Sequence, residues 1–220
     1  GLANEMNNIH YHKPLISTNP CGEIWLEAYG CCDLGAINLA QHINEDASDF
    51  DWDALNDSVN LGVRFLDNVL EYFIHNAPES LSKAKYSAKR ERSIGLGAMG
   101  FHAYLQKNMV SFEGAIASAF NEEIFSHIKS EADTTTRKLA VERGACPDDD
   151  TASVRNAHLL AIAPNASSSI LCGNTSPSIE PFRANAFNQK TKSGSNLLKN
   201  KYLDQLLMHK IGHAATYDET

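Results

Sequence analysis

The stretch His158-Leu159-Leu160-Ala161-Ile162-Ala163-Pro164-Asn165-Ala166-Ser167-Ser168-Ser169 decides the fold class of this chain. Its first six residues are a short apolar run stopped by Pro164, which predicts a buried strand, because proline has no N–H to give to a ladder. A hydroxyl-rich turn follows, then an apolar Ile170-Leu171-Cys172 and Gly173-Asn174. A strand, a turn and a helix start in that order present backbone N–H groups and serine hydroxyls to an anion, which is the physics of phosphate capture. Serine capping of a helix is an equal alternative from these residues alone.

Upstream, apolar side chains at Trp52, Leu55, Val59, Val63, Leu66, Leu70 and Phe73 recur at helical spacing. They predict a core-facing helix from Asp51 to Asn76, with Asp51 as N-cap and Pro78 beyond its end. A second long helix is predicted from Glu113 to Glu142, with Ile116, Phe120, Ile124, Ile128 and Leu139 on one face and Gly144 after it. Strands alternating with long helices make the fold α/β. Between the helices, Gly95, Gly97 and Gly100 satisfy G-x-G-x-x-G, but a dinucleotide fingerprint needs a strand before it and an acidic residue about 20 residues on. The charged Lys83 to Arg92 segment precedes it instead, so close packing of this backbone against a neighbouring element is the preferred reading.

Composition narrows the class. The chain has 220 residues, 43% hydrophobic and 21% charged, which is ordinary for a globular protein. No apolar run approaches the roughly 18 residues that span a bilayer, and no signal pattern opens the chain, so membrane association is not expected and the cytosol is the expected location. A net charge of -8 argues against a nucleic-acid surface. Five cysteines, at 21, 31, 32, 146 and 172, fit neither a disulfide framework nor a structural zinc site. The nine histidines show no metal-ligand spacing, so no metal is assigned. Cys146 and Cys172 read as buried packing thiols. The first residue is Gly1, and the chain reads as a portion of a longer protein.

Asn19-Pro20-Cys21-Gly22-Glu23 is the most reactive-looking segment. Pro20 and Gly22 make it a tight loop, and the side chains at 19, 21 and 23 bring an amide, a thiol and a carboxylate within reach of one small ligand. A turn holding a structural cysteine is the alternative.

Taken in order, four segments resemble the large, catalytic subunit of ribonucleotide reductase. They are Asn19 to Glu23, Cys32-Asp33-Leu34-Gly35-Ala36-Ile37-Asn38-Leu39, Arg92 to Gly100, and Pro164 to Pro181 ending Ser178-Ile179-Glu180-Pro181. The resemblance implies part of a ten-stranded α/β barrel, the finger loop and the second half. Residues 1–45 would hold the finger loop and redox-cysteine strand, residues 46–157 would be mainly helical, and residues 158–220 would hold the phosphate-binding strand-turn-helix and the segment after it. It further implies radical reduction of ribonucleoside di- or triphosphates to 2'-deoxyribonucleotides. Cys21 would be the transient thiyl radical, Glu23 the base at the 3'-OH, and Asn19 the amide that orients the ribose. Cys32 would be one of two reducing thiols, its partner lying outside this chain. Pro164, Asn165, Ala166, Ser167 and Ser168 would bind the substrate phosphates.

The resemblance also implies a radical source outside this chain, either a metal-containing small subunit (class I, favoured) or adenosylcobalamin (class II). Thioredoxin or glutaredoxin would be the reductant, and the full-length protein would be a homodimer. Cys31 beside Cys32, and Asp33 in place of a neutral residue, depart from the usual pattern. A carboxylate there raises the thiol pKa and slows thiolate attack. Two rival readings are a cysteine-nucleophile hydrolase or acyltransferase, requiring a histidine such as His10 or His12 at Cys21, and a non-catalytic phosphate-ligand binding module.

Overall fold

The computed structural model describes residues 2–9, 13–44 and 50–212. The chain divides into two compact units, one of residues 1–37, 53–97 and 124–163 and the other of residues 38–52, 98–123 and 164–220. No helix among the described residues is long and apolar enough to cross a membrane.

The first unit opens with a one-turn helix, α1 (Leu2–Glu5), and a short hairpin of β1 (Ser17–Thr18) and β2 (Trp25–Leu26), paired antiparallel with Ser17 opposite Leu26. Strand β3 (Asp33–Asn38) pairs with β4 (Ile94–Met99). Helix α2 (Trp52–Asn76) buries Leu55, Val59, Val63, Leu66 and Leu70, the stripe its spacing predicts. Small residues let it lie close to the strands. A Cβ on Gly62 would sit 3.0 Å from Leu96, and one on Gly35 would sit 3.4 Å from Leu66. Helix α3 (Ser82–Glu91) ends where Arg92 takes a left-handed φ of 51°, turning the chain into β4. Helix α5 (Ala115–Arg143) adds buried Ile124, Ile128 and Leu139, and Gly144 follows it at φ 89°. Ile116, expected on that buried face, is 61% exposed.

The expected buried strand over His158 to Ala163 is corrected. That segment makes a single parallel bridge, Leu160 to Leu96, supported by bonds from the Ile94 and Leu96 N–H groups to the His158 and Leu159 carbonyls. The buried strand is β4, in the glycine segment, where every residue is buried. The reason is steric: a Cβ on Gly97 would meet the Ala161 carbonyl oxygen at 2.3 Å, and one on Gly95 would meet the Ala161 Cβ at 2.8 Å. The close-packing reading of these glycines therefore holds.

One carboxylate ties this unit together. Asp67 of α2 is fully buried and accepts from Arg92 Nη2 (2.8 Å), Arg143 Nη1 (2.9 Å), Arg155 Nε (3.2 Å) and Asn156 Nδ2 (3.2 Å). Burial pushes its pKa up, but the Arg92, Arg155 and Arg143 guanidiniums outweigh burial and hold it below the usual carboxylate range.

In the second unit, α4 (Phe101–Lys107) starts at Gly100, whose φ of 83° and close neighbours suit only glycine: a Cβ would sit 2.7 Å from both Asn38 Oδ1 and Thr175 Oγ1. Ala40, Ala103 and Tyr202 form a small core with Phe182 against it. A single helical turn, α6 (Ser168–Leu171), precedes a hairpin of β5 (Ala186–Thr191) and β6 (Gly194–Lys199). Helix α7 (Lys201–Ile211) is capped by the Asn200 side chain, which accepts from the Tyr202 and Leu203 N–H groups.

Removing the Asp67 carboxylate leaves the buried Arg92 and Arg155 guanidiniums with only the more exposed Glu71 as counter-charge, so Asp67→Ala is expected to lower stability by about 3 kcal/mol in urea unfolding. The pH dependence has a definite sign. A carboxyl lowered on folding stabilises the native state above its ordinary value of 3.8, and that contribution is lost as pH falls through the lowered native value. The stability gap between parent and Asp67→Asn is therefore expected to be full at pH 6 and to shrink in acid.

Candidate active site

Asn19 to Glu23 form the tip of the β1–β2 hairpin. Asn19 builds the turn: its Oδ1 accepts from the Gly22 N–H (3.1 Å) and the Ile24 N–H (3.2 Å), while its own N–H donates to the Ile24 carbonyl. Gly22 has φ 83° with nothing within 4 Å of an added Cβ, so backbone conformation rather than packing demands glycine. Among the described residues the Asn19 Nδ2 donors have no partner, and no hydrogen bond reaches the Cys21 thiol, which is exposed. His10 and His12 lie outside the described residues. Glu23 is half-buried, and its Oε2 is shielded from solvent without a hydrogen-bond partner among the described residues. A buried carboxylate oxygen left unpaired is costly unless a ligand supplies the donor.

Cys32 stands at the start of β3 and faces β4. A Cβ on Gly95 would lie 3.2 Å from its sulfur and 2.7 Å from Leu34 Cδ2, so residues 32 and 34 share the β4 side. Cys32, Leu34, Asn19 and Glu27 line one cavity of about 370 Å3; Cys21 and Glu23 are not in its wall. Burial, with the Asp33, Cys31, Glu23 and Glu91 charges adding to it, pushes the Cys32 thiol up to about 12. Burial and Asp33 push Cys31 to about 11. The expected effect of Asp33 is present, but burial is the larger cause. All five thiols are unpaired, so Cys31 and Cys32 are not joined.

In the second unit Asn165 opens the serine turn with φ 53°. Its carbonyl accepts from the Ser169 N–H (3.0 Å), and its Nδ2 donates to the Ala98 carbonyl (3.4 Å), so its side chain shapes the loop. Because α6 is one turn long, the expected strand-turn-helix narrows to the turn itself. The Ala166, Ser167 and Ser168 N–H groups precede the bonds closing that turn. Ala166 and Ser167 line a cavity of about 190 Å3; Pro164, Asn165 and Ser168 do not. Sequence reasoning missed two members of that wall, Thr175 and Arg183. Thr175 is buried with a partnerless Oγ1 among the described residues, and Arg183 lies 3.9 Å over the Phe187 ring. Nothing in local spacing marks either one, although Arg183 closely follows Ser178-Ile179-Glu180-Pro181. Cys172, expected to be buried, is exposed, while Cys146 is buried.

These features define a mixed α/β chain with an exposed thiol on a hairpin tip, a second thiol in a cavity wall and a hydroxyl-rich turn. Residues 1–153 and 149–219 match the family described as ribonucleotide reductase, barrel domain. The ribonucleoside-diphosphate reductase large subunit of Invertebrate iridescent virus 3 is 44% identical over 88% of this chain and 30% of its own length. The vitamin B12-dependent ribonucleoside-diphosphate reductase of Mycobacterium tuberculosis is 34% identical over 92% of this chain and 29% of its own length. Among solved structures, the Actinobacillus ureae class Id ribonucleotide reductase alpha subunit superposes with a TM-score of 0.75 at 27% identity, covering 95% of this chain and 41% of that one. The chain belongs to the ribonucleotide reductase barrel-domain family, and it spans under a third of the length of these two sequence relatives.

Exposure and burial order the thiols. Alkylation at pH 8 is expected to label Cys21 and Cys172 first and Cys32 and Cys146 last, as read by peptide mass spectrometry.

Proposed function

We propose that this chain carries the reacting thiol and phosphate loop of a radical ribonucleotide reductase, which converts ribonucleoside di- or triphosphates to 2'-deoxyribonucleotides. The observation that supports it most is the hairpin tip in a chain of this family: an exposed Cys21 between an amide with spare donors and a carboxylate with a partnerless oxygen. Cys21, as a thiyl radical, takes the 3' hydrogen of the ribose and later returns it. Glu23 removes the 3'-OH proton, and Asn19 Nδ2 holds a ribose hydroxyl. Cys32 gives one of the two reducing thiols. Ala166, Ser167 and Ser168 N–H groups, within the turn Pro164 to Ser168, hold the phosphates, and the Arg183 charge in the same cavity wall favours an anion.

The oxidising equivalent that reaches Cys21 comes from outside the chain. We favour a metal-containing small subunit over adenosylcobalamin, because identity is higher to the viral large subunit (44%) than to the vitamin B12-dependent enzyme (34%). A thioredoxin or glutaredoxin is the proposed reductant, and a homodimer the proposed assembly.

In the full-length protein, Cys21→Ser is expected to abolish deoxynucleotide formation while nucleotide affinity by equilibrium dialysis stays close to the parent's. Retained turnover overturns the radical role. Turnover restored by adenosylcobalamin without a small subunit overturns the class I assignment.

A further inference from the structure

Behind Cys32 lies a buried polar cluster that the proposed reaction leaves unused. Glu91, at the end of α3, is 1% exposed. Its Oε1 lies 3.4 Å from Lys13 Nζ, which also binds Glu27 Oε1 (2.8 Å) and Asp148 Oδ2 (2.6 Å). Arg90 completes the pairing of Asp148. Ser87 donates to the same Glu27 oxygen at 2.9 Å. Three carboxyls, Glu27, Glu91 and Asp148, thus share one ammonium, and Glu27 lines the cavity that Cys32 lines.

Beyond Glu91 the hydrogen bonds run through Ser93 to a buried histidine. Asn7 Oδ1 accepts from the Ile9 N–H (3.5 Å) and lies 2.6 Å from His158 Nε2, which must therefore donate. Burial lowers His158 to about 4, so its ring is neutral and its Nδ1 accepts from the Ser93 hydroxyl 2.9 Å away. The same hydroxyl donates to Glu91 Oε2 at 3.1 Å, so one hydrogen is shared between Glu91 and the ring. Burial raises Glu91 to about 7, with the neighbouring Glu27 adding to it and Lys13 and the Ser93 hydroxyl pulling the other way.

Cys32 needs such a group. Its surroundings hold four negative or ionisable groups, Cys31, Asp33, Glu23 and Glu91, and its thiolate is a poor leaving group unless a proton arrives with it. Asp33 sits one residue along the strand from Cys32, on the opposite face, and is absent from the cavity wall. We propose that the Glu27–Glu91 pair is the proton store for Cys32, supplying the proton when its disulfide is opened and accepting one when it closes. In the opening step a dithiol reductant's thiolate attacks the sulfur of the partner cysteine. The old S–S bond breaks, a mixed disulfide forms, Cys32 leaves with the electron pair, and the proton moves from the carboxyl pair to its sulfur. Solvent returns the proton to the pair.

This inference rests on Cys32 being a redox thiol, and the experiment separates the two. In the full-length protein, oxidised by one round of substrate reduction, disulfide reopening by dithiothreitol is timed by quenched alkylation from pH 6 to 9. The parent rate is expected to show an inflection near 7, and Glu91→Gln to lose the inflection and slow by about tenfold or more at pH 7. Glu91→Asp is expected to keep the inflection, which a packing defect would not restore. Glu27→Gln, at the cavity wall, is expected to match Glu91→Gln and replaces it should that variant not fold. A parent-like rate and profile in the glutamine variants overturns the proton store. A disulfide that still forms in Cys32→Ser overturns the reading of Cys32 itself.

Discussion

The buried Asp67 carboxylate is the constraint on which the first unit depends. A charge with no solvent must be paired, and Asp67 is paired by Arg92, Arg143 and Arg155, from three separated stretches of chain. Arg92 is also the left-handed residue that ends α3 and starts β4. Anchoring it fixes where β4 begins, and so where Gly95 and Gly97 meet the Ala161 segment. Asn156 joins the same network through bonds to Asp67 and to the Arg92 carbonyl, which holds the chain approaching His158. The charged cluster thus sets the register of the apolar one.

The glycines of β4 turn that register into chemistry. With no Cβ at 95, the strand comes close enough for the Cys32 sulfur and the Leu34 side chain to pack on its backbone. That closeness half-buries Cys32, and this burial is the main reason its thiol resists ionisation. The hairpin tip follows the opposite logic. Its turn is closed by its own amide side chain at Asn19 and a glycine with open space around it, so Cys21 stays exposed. One thiol is open to solvent and the other lies in the wall of a cavity.

Much of this was legible from residue types and spacing. Helix α2 and the core part of α5 follow from their apolar periodicity, because a long amphipathic stripe has one way to bury itself. The tight loop at Asn19 to Glu23 follows from Pro20 and Gly22. The strand assignment over His158 to Ala163 shows the limit. The apolar run lies beside the glycine-rich run and makes only one bridge to it, although its composition has the better strand residues. Glycine at 97 allows that close approach, since a Cβ there would fall 2.3 Å from the Ala161 carbonyl oxygen. Ile116, expected inside from its helical spacing, and Cys172, expected inside from its apolar neighbours, are both exposed.

By itself the sequence determined the chemistry available: which thiol sits between an amide and a carboxylate, which turn is rich in hydroxyls, and which family these segments resemble. Those properties belong to neighbours in the chain, and neighbours are visible in the order of residues. The tertiary structure alone decided the environments. Lys13, Glu27, Glu91, Asp148 and His158 are scattered along the chain and carry no motif, yet folding gathers them into one polar network. Burial and proton position depend on distances between such remote residues, and no local pattern encodes them.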